Sequence, residues 1–125
     1  MIYQHQLLQD VDDDTVLGGL WPGIQLYYPP IKYLPNESTY ETMSQAAERM
    51  RKHAHQTNAH TLLFDLEDGC RQKSMSRSLL QQELPQFGPR DFKIALRINP
   101  FRTEEYEKDL ALIKDMAEHI DAIVL

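Results

Sequence analysis

TLLFDLEDGC, residues 61–70, is the stretch on which the fold turns. TLLFDL (61–66) reads as a short buried strand. Three carboxylates, Asp65, Glu67 and Asp68, then arrive where an apolar run should keep charge away, because an unpaired buried carboxylate is costly. Side chains alternate across a strand, so Leu62, Phe64 and Leu66 share one face, and Leu63, Asp65 and Glu67 share the other. The wholly apolar face must meet a covering layer. The charged face must open on space that solvent or a counter-charge can reach.

The same pattern extends outward in both directions. IQLYY (24–28) predicts a strand ended by Pro29 and Pro30, FKIALRI (92–98) another broken by Asn99-Pro100, and DAIVL (121–125) a fourth. Phe92, Ile94, Leu96 and Ile98 share one face of the 92–98 strand, with Lys93, Ala95 and Arg97 on the opposite one. Between the strands lie helical patterns. Ser38 with Glu41 makes a capping-box signal ahead of Met43, Ala46, Ala47, Met50 and Ala54, with Asn58 as a stop. A second helix is expected over 72–84, with Met75, Leu79 and Leu80 inward and Pro85 closing it. Thr103 caps a third, with Glu104 and Glu105 favourable in its first turn and Tyr106, Leu110, Ile113 and Ala117 as its stripe.

The order is β-α-β-α-β-α-β, with strand starts near 24, 61, 92 and 121. A repeat of roughly 30 residues is that of parallel βα units. The outer strands would be open edges. The expectation is therefore an α/β parallel (β/α)8 TIM-type barrel, of which residues 23–125 supply the amino-terminal half, about four strands and three helices. An open sheet completed by another chain is the alternative. Residues 1–22, with the acidic DVDDD and the turn-rich GGLWPG, read as an N-terminal extension. In a barrel, Asp65, Glu67 and Arg97 gather near the carboxyl ends of neighbouring strands, where barrel enzymes place their chemistry. A structural ion pair is the plain alternative for the same residues.

The bulk properties narrow the function. With 125 residues the chain is one domain by length, and a net charge of −6 argues against general phosphate-directed binding of nucleic acid. Cys70 is the sole cysteine, so no internal disulfide forms and a reducing, cytoplasmic setting is expected. No apolar run approaches the ~18 residues a bilayer span needs, and MIYQHQLLQDVDDD, with no basic start and no long apolar core, does not read as a secretory signal. His53 and His55, two apart on a helix, diverge and do not form a metal site with His60. Cys70 has no histidine placed to activate it, and neither LGG nor WPG leads into a helix as a phosphate loop would.

LLFDLEDG, followed by ALRINPF and then DAIVL, resembles the citrate lyase β-subunit-like group of the HpcH/HpaI aldolase superfamily, which includes malyl-CoA and citramalyl-CoA lyases. Asp65, Leu66, Glu67 and Asp68 match its aspartate-leucine-glutamate-aspartate run. Arg97, Ile98, Asn99 and Pro100 match its arginine-x-asparagine-proline run. The likeness covers roughly residues 24–125. It departs at Tyr28-Pro29-Pro30, where the family has a proline-glycine turn, and in GCRQKSMSR, about two residues short, though Lys73 and Arg77 keep the family's spacing to each other.

The resemblance implies a Mg2+-dependent carbon–carbon lyase or aldolase acting on a keto acid or hydroxyacyl thioester such as one of coenzyme A. Arg97 would contact the substrate carboxylate or carbonyl, and Glu67 would act with it in catalysis and binding. Glu67 and Asp68 would hold Mg2+ through water, Lys32 would meet thioester phosphates, and Asp65 would orient its neighbours. The family's direct metal ligands come from later strands, so this stretch alone would be incomplete, and a homo-oligomer or a carboxyl-terminal half is the expected partner. The rival expectation is a non-catalytic binding or assembly module completed by another chain.

Overall fold

The computed structural model describes residues 25–125. The 1–22 extension lies outside the described residues. Four strands, β1 (Gln25–Tyr28), β4 (Thr61–Asp65), β5 (Lys93–Arg97) and β6 (Ala122–Val124), form one parallel sheet in that spatial order. Two short strands, β2 (Tyr33–Leu34) and β3 (Thr39–Tyr40), form an antiparallel hairpin after β1. Three helices, α1 (Met43–Gln56), α2 (Lys73–Glu83) and α3 (Glu104–Met116), make the crossovers.

Because strands are laid down in one direction across the sheet, right-handed crossovers put every helix on the same face. The core confirms this. Leu62, Phe64 and Leu66 of β4 and its exit pack with Ile94, Leu96 and Ile98 from β5. Against them lie Ala46, Ala47 and Met50 of α1, Leu79, Leu80 and Leu84 from α2 and its end, and Leu112 of α3. The apolar strand faces thus meet the helices, as the alternation requires. Leu63, Ala95 and Val124 form a second small cluster on the opposite face.

The barrel expectation is corrected here. Closing a (β/α)8 barrel requires the outermost strands to hydrogen-bond to one another, with tilt and stagger shared over the whole ring. The described residues instead form an open four-stranded sheet with β1 and β6 at its edges, plus a separate hairpin. The period of roughly 30 residues belongs to any parallel βα array, open or closed.

The first helix also starts later than the Ser38–Glu41 signal suggests. Ser38 sits in the left-handed region, φ 52°, closing the turn between β2 and β3. The cap is Thr42: its hydroxyl accepts from the Gln45 amide at 3.2 Å while Gln45 Oε1 accepts from the Thr42 amide at 2.9 Å. Thr103 caps α3 as expected, accepting from the Tyr106 amide. Two inward assignments fail. Met75 and Ala117 are exposed, and Ser76 and Asp109 are buried in their helices instead.

Candidate functional site

The carboxylates of the 61–70 stretch separate into two kinds. Asp65 ends β4 and is fully buried; its register partner on β5 is Arg97. Arg97 Nε donates to Asp65 Oδ1 at 2.8 Å and Nη2 to Oδ2 at 2.9 Å, a two-point fork. Asp65 also accepts from the Glu67 amide at 2.9 Å and the Gly69 amide at 2.6 Å. These donors match the roughly four lone-pair sites of a carboxylate. Asp65 therefore fixes both the guanidinium and the turn that follows β4.

Glu67 and Asp68 lie on that turn and are accessible. A hydrogen bond with Asp68, then partial burial, then repulsion by Asp68 raise the Glu67 carboxyl above its ordinary value, while the nearby Arg97 charge pulls the other way. Glu67 thus holds a proton more readily than a free glutamate. A pair of carboxyls in this state gains from a cation that relieves the repulsion.

The turn is held from its other side by a buried polar chain. Lys73 Nζ donates to the carbonyls of Leu66 and Glu67, both at 2.8 Å, and to Asn99 Oδ1 at 2.9 Å. Asn99 donates from its side chain to the Leu66 carbonyl at 2.8 Å and to Asp109 Oδ2 at 2.7 Å, and its amide also meets Asp109 Oδ2. Asp109, fully buried, accepts from Arg77 at 2.9 Å. Arg77 also forms an ion pair with Glu105 at 2.7 Å. Strand ends and two helices are joined in one network.

Beside this turn lies an open cleft of about 490 Å³, lined by Pro29, Ile31, Lys32, Tyr33, Tyr40, Asp68, Gly69 and Arg71. Its far wall is the β2–β3 hairpin, where Tyr33 and Tyr40 meet edge to face at 5.1 Å. Glu41 anchors that wall. It accepts from the Lys32 amide at 2.8 Å and from Arg49 Nε at 2.7 Å and Nη2 at 2.6 Å. Arg49 reaches on to the carbonyls of Pro29 and Pro30 and stacks over the Tyr28 ring at 4.6 Å. Burial alone would raise the Glu41 carboxyl, but the Arg49 and Lys32 hydrogen bonds bring it below its ordinary value. Burial pushes the Tyr28 hydroxyl up to about 12 in spite of Arg49.

The structure therefore brings the predicted residues to one end of the sheet, in two adjoining patches. Arg97 and Glu67 stand beside Asp65; Lys32 and Asp68 line the cleft. Arg71 and Asp109 were not foreseen in this role. Arg71 carried no motif signal, and Asp109 lies beside the apolar stripe of its helix, not in it. Cys70 is buried with its thiol against Ser76 Oγ at 3.2 Å, and burial pushes that thiol up, so it is not a primed nucleophile.

Among the described residues no group of three or more His, Cys, Asp or Glu side chains could cage a metal ion. With Asp65 saturated, Glu67 and Asp68 are the carboxylates left at this end of β4 among the described residues. That donor set fits a hydrated Mg2+, which commonly keeps its waters and takes only one or two carboxylates, and it does not fit an all-protein cage. Among the described residues no helix is long and apolar enough to cross a membrane. No protein-family model matches the chain, and no curated protein sequence matches it.

Proposed function

We propose that the protein is a Mg2+-dependent carbon–carbon lyase or aldolase of the citrate lyase β-subunit-like kind, acting in the cytoplasm on a keto acid or a hydroxyacyl thioester. The observation that carries the reading is the juxtaposition at one sheet end. An arginine locked by Asp65, Glu67 on the turn whose amide Asp65 holds, and a cleft holding Lys32, Arg71 and Asp68 all lie there.

The chemistry follows from charge. Carbon–carbon cleavage next to a carbonyl leaves negative charge on oxygen, and fixed positive charge stabilises it. Arg97, held in plane by its two bonds to Asp65, supplies a fixed charge that loses no orientational freedom when substrate arrives. Glu67, on the turn that Asp65 holds beside the arginine, is placed to take up or give a proton at its carboxyl oxygen. Mg2+, carried by Glu67 and Asp68 through water, would supply Lewis-acid polarisation of the keto acid oxygens. Lys32 and Arg71 give the cleft two cations suited to the phosphates of a coenzyme A thioester, and the Tyr33–Tyr40 pair gives it an apolar wall.

Calorimetric titration of the full chain with pyruvate in the presence of Mg2+ tests this. Saturable binding that Glu67→Gln and Arg97→Ala each weaken by about ten-fold or more, roughly 1.4 kcal/mol, is the expected result. Absence of binding, or affinity unchanged in both variants, overturns it.

A non-catalytic assembly module is the second reading, and the open sheet favours it. β6 lies at one edge, with Ile123 37 % exposed. A concentration-dependent dimer that binds neither pyruvate nor Mg2+ would select it.

A further inference from the structure

Lys73 is the first residue of α2. A cation there faces the positive end of the helix dipole, so helix stability does not explain its presence. Its ammonium has three donors and no acceptor. The contacts above engage all three: the Leu66 carbonyl, the Glu67 carbonyl and Asn99 Oδ1. Lys73 thus has no donor left for a ligand, although it stands within reach of the site.

Its partners are specific. Asp65 holds the Glu67 amide, and Lys73 holds the Glu67 carbonyl. Both polar groups of that residue's backbone are therefore pinned, one by an anion ending β4 and one by a cation opening α2. The Leu66 carbonyl is held twice, by Lys73 and by the Asn99 side chain. Asn99 is fixed in turn by the fully buried Asp109, which Arg77 neutralises. The turn bearing Glu67 and Asp68 is thereby referenced to β5, α2 and α3 together.

We propose that Lys73 is a positioning residue, a latch that sets where the Glu67 and Asp68 carboxyls stand by clamping the carbonyls of Leu66 and Glu67 onto Asn99. This rests on the proposed function only in treating those two carboxyls as the working groups.

The test uses the full chain and begins with the wild type. In nitrogen-edited NMR at neutral pH, the Lys73 ammonium protons should exchange with water slowly enough to be seen, while those of the exposed Lys52 and Lys93 are lost. In Lys73→Met the amide signals of Glu67, Asp68 and Gly69 should move toward unstructured positions. The half-saturating concentration of Mg2+ alone should rise by about ten-fold or more, the usual scale for removing a group that supports a metal ligand. Leu112→Ala, a core change in α3 that removes none of the turn's hydrogen bonds, should lower stability and leave Mg2+ half-saturation unchanged.

Lys73 ammonium exchange as fast as that of Lys52, or a Lys73→Met protein with unmoved turn amides, overturns the latch. If wild type shows no Mg2+ response, the proposed function falls, and the ammonium exchange and turn amides still decide the latch. If Lys73→Met does not fold, the wild-type exchange measurement decides alone.

Discussion

Replacing Asp65 by alanine tests whether the pair at the strand ends is structural in the strong sense. Asp65 is fully buried and the Arg97 side chain is 21 % exposed, so the substitution takes the two-point carboxylate partner from a largely buried guanidinium. Removing one partner of a buried pair costs roughly 3–5 kcal/mol. Arg97 keeps some solvent access and lies near Glu67, which moves the figure toward the lower end. The amides of Glu67 and Gly69 also lose their acceptor, but in a surface turn water replaces much of it, adding roughly 0.5–1 kcal/mol each. The expected total is about 4 kcal/mol, a large share of the ~5–15 kcal/mol that holds a domain together. At this chain length that lowers Tm by about 15 °C. Urea unfolding of wild type, Asp65→Ala, Arg97→Ala and the double variant measures it. The coupling energy of the cycle should be about 2–3 kcal/mol. A single-variant cost below about 1 kcal/mol, or strictly additive losses, would refute the reasoning.

Glu67→Gln is expected to stabilise the metal-free protein slightly at neutral pH. The folded-state proton affinity of Glu67 is raised, so its ionised form costs stability as pH rises through that value, and a modest gain in Tm by calorimetry checks this. Acidification works oppositely through Glu41 and Glu83, whose carboxyls are held below their ordinary values against burial. Glu41 is held by Arg49 and the Lys32 amide, Glu83 by Arg51 and Gln82. Their contribution is full above the ordinary glutamate value of about 4.3 and is lost as pH falls through the lower folded values, so urea midpoints should drop below about pH 4. Thr42→Ala should cost about 1 kcal/mol as a lost helix cap, whereas Ser38→Gly should leave stability equal or higher by relieving a left-handed residue; paired thermal melts separate the two.

The strand faces were legible because alternation in 61–67 and 92–98 is nearly strict, and a period of two assigns each side chain without knowledge of topology. The β2–β3 hairpin was not, because two-residue strands carry no period. Ser38–Glu41 and Thr42–Gln45 are both valid capping boxes by residue type. What decides between them is tertiary: Glu41 is drawn to Arg49 and the Lys32 amide, so it is not available to cap. Asp109 was lost for a similar reason. A helical stripe drawn through Tyr106, Leu110 and Ile113 passes beside it, and only the buried Arg77 and Asn99 make a carboxylate tolerable there.

Sequence alternation could place Asp65, Glu67 and Arg97 on one face but could not say which carboxylate takes the arginine. Register decides it. Thr61 pairs with Lys93, so counting along both strands sets Asp65, not Glu67, opposite Arg97. The consequence is a division of labour that charge counting would miss. Asp65, the innermost carboxylate, is saturated by the guanidinium and two amides and has no capacity left for a ligand. Glu67 and Asp68, further along the turn, carry the unrelieved repulsion, and it is they that a cation or a proton would answer. Had the strands paired two residues out of this register, Glu67 would have been neutralised and buried, and Asp65 left to face the wrong environment. The chemistry available at this sheet end therefore depends on the hydrogen-bond ladder between β4 and β5 as much as on the residues themselves.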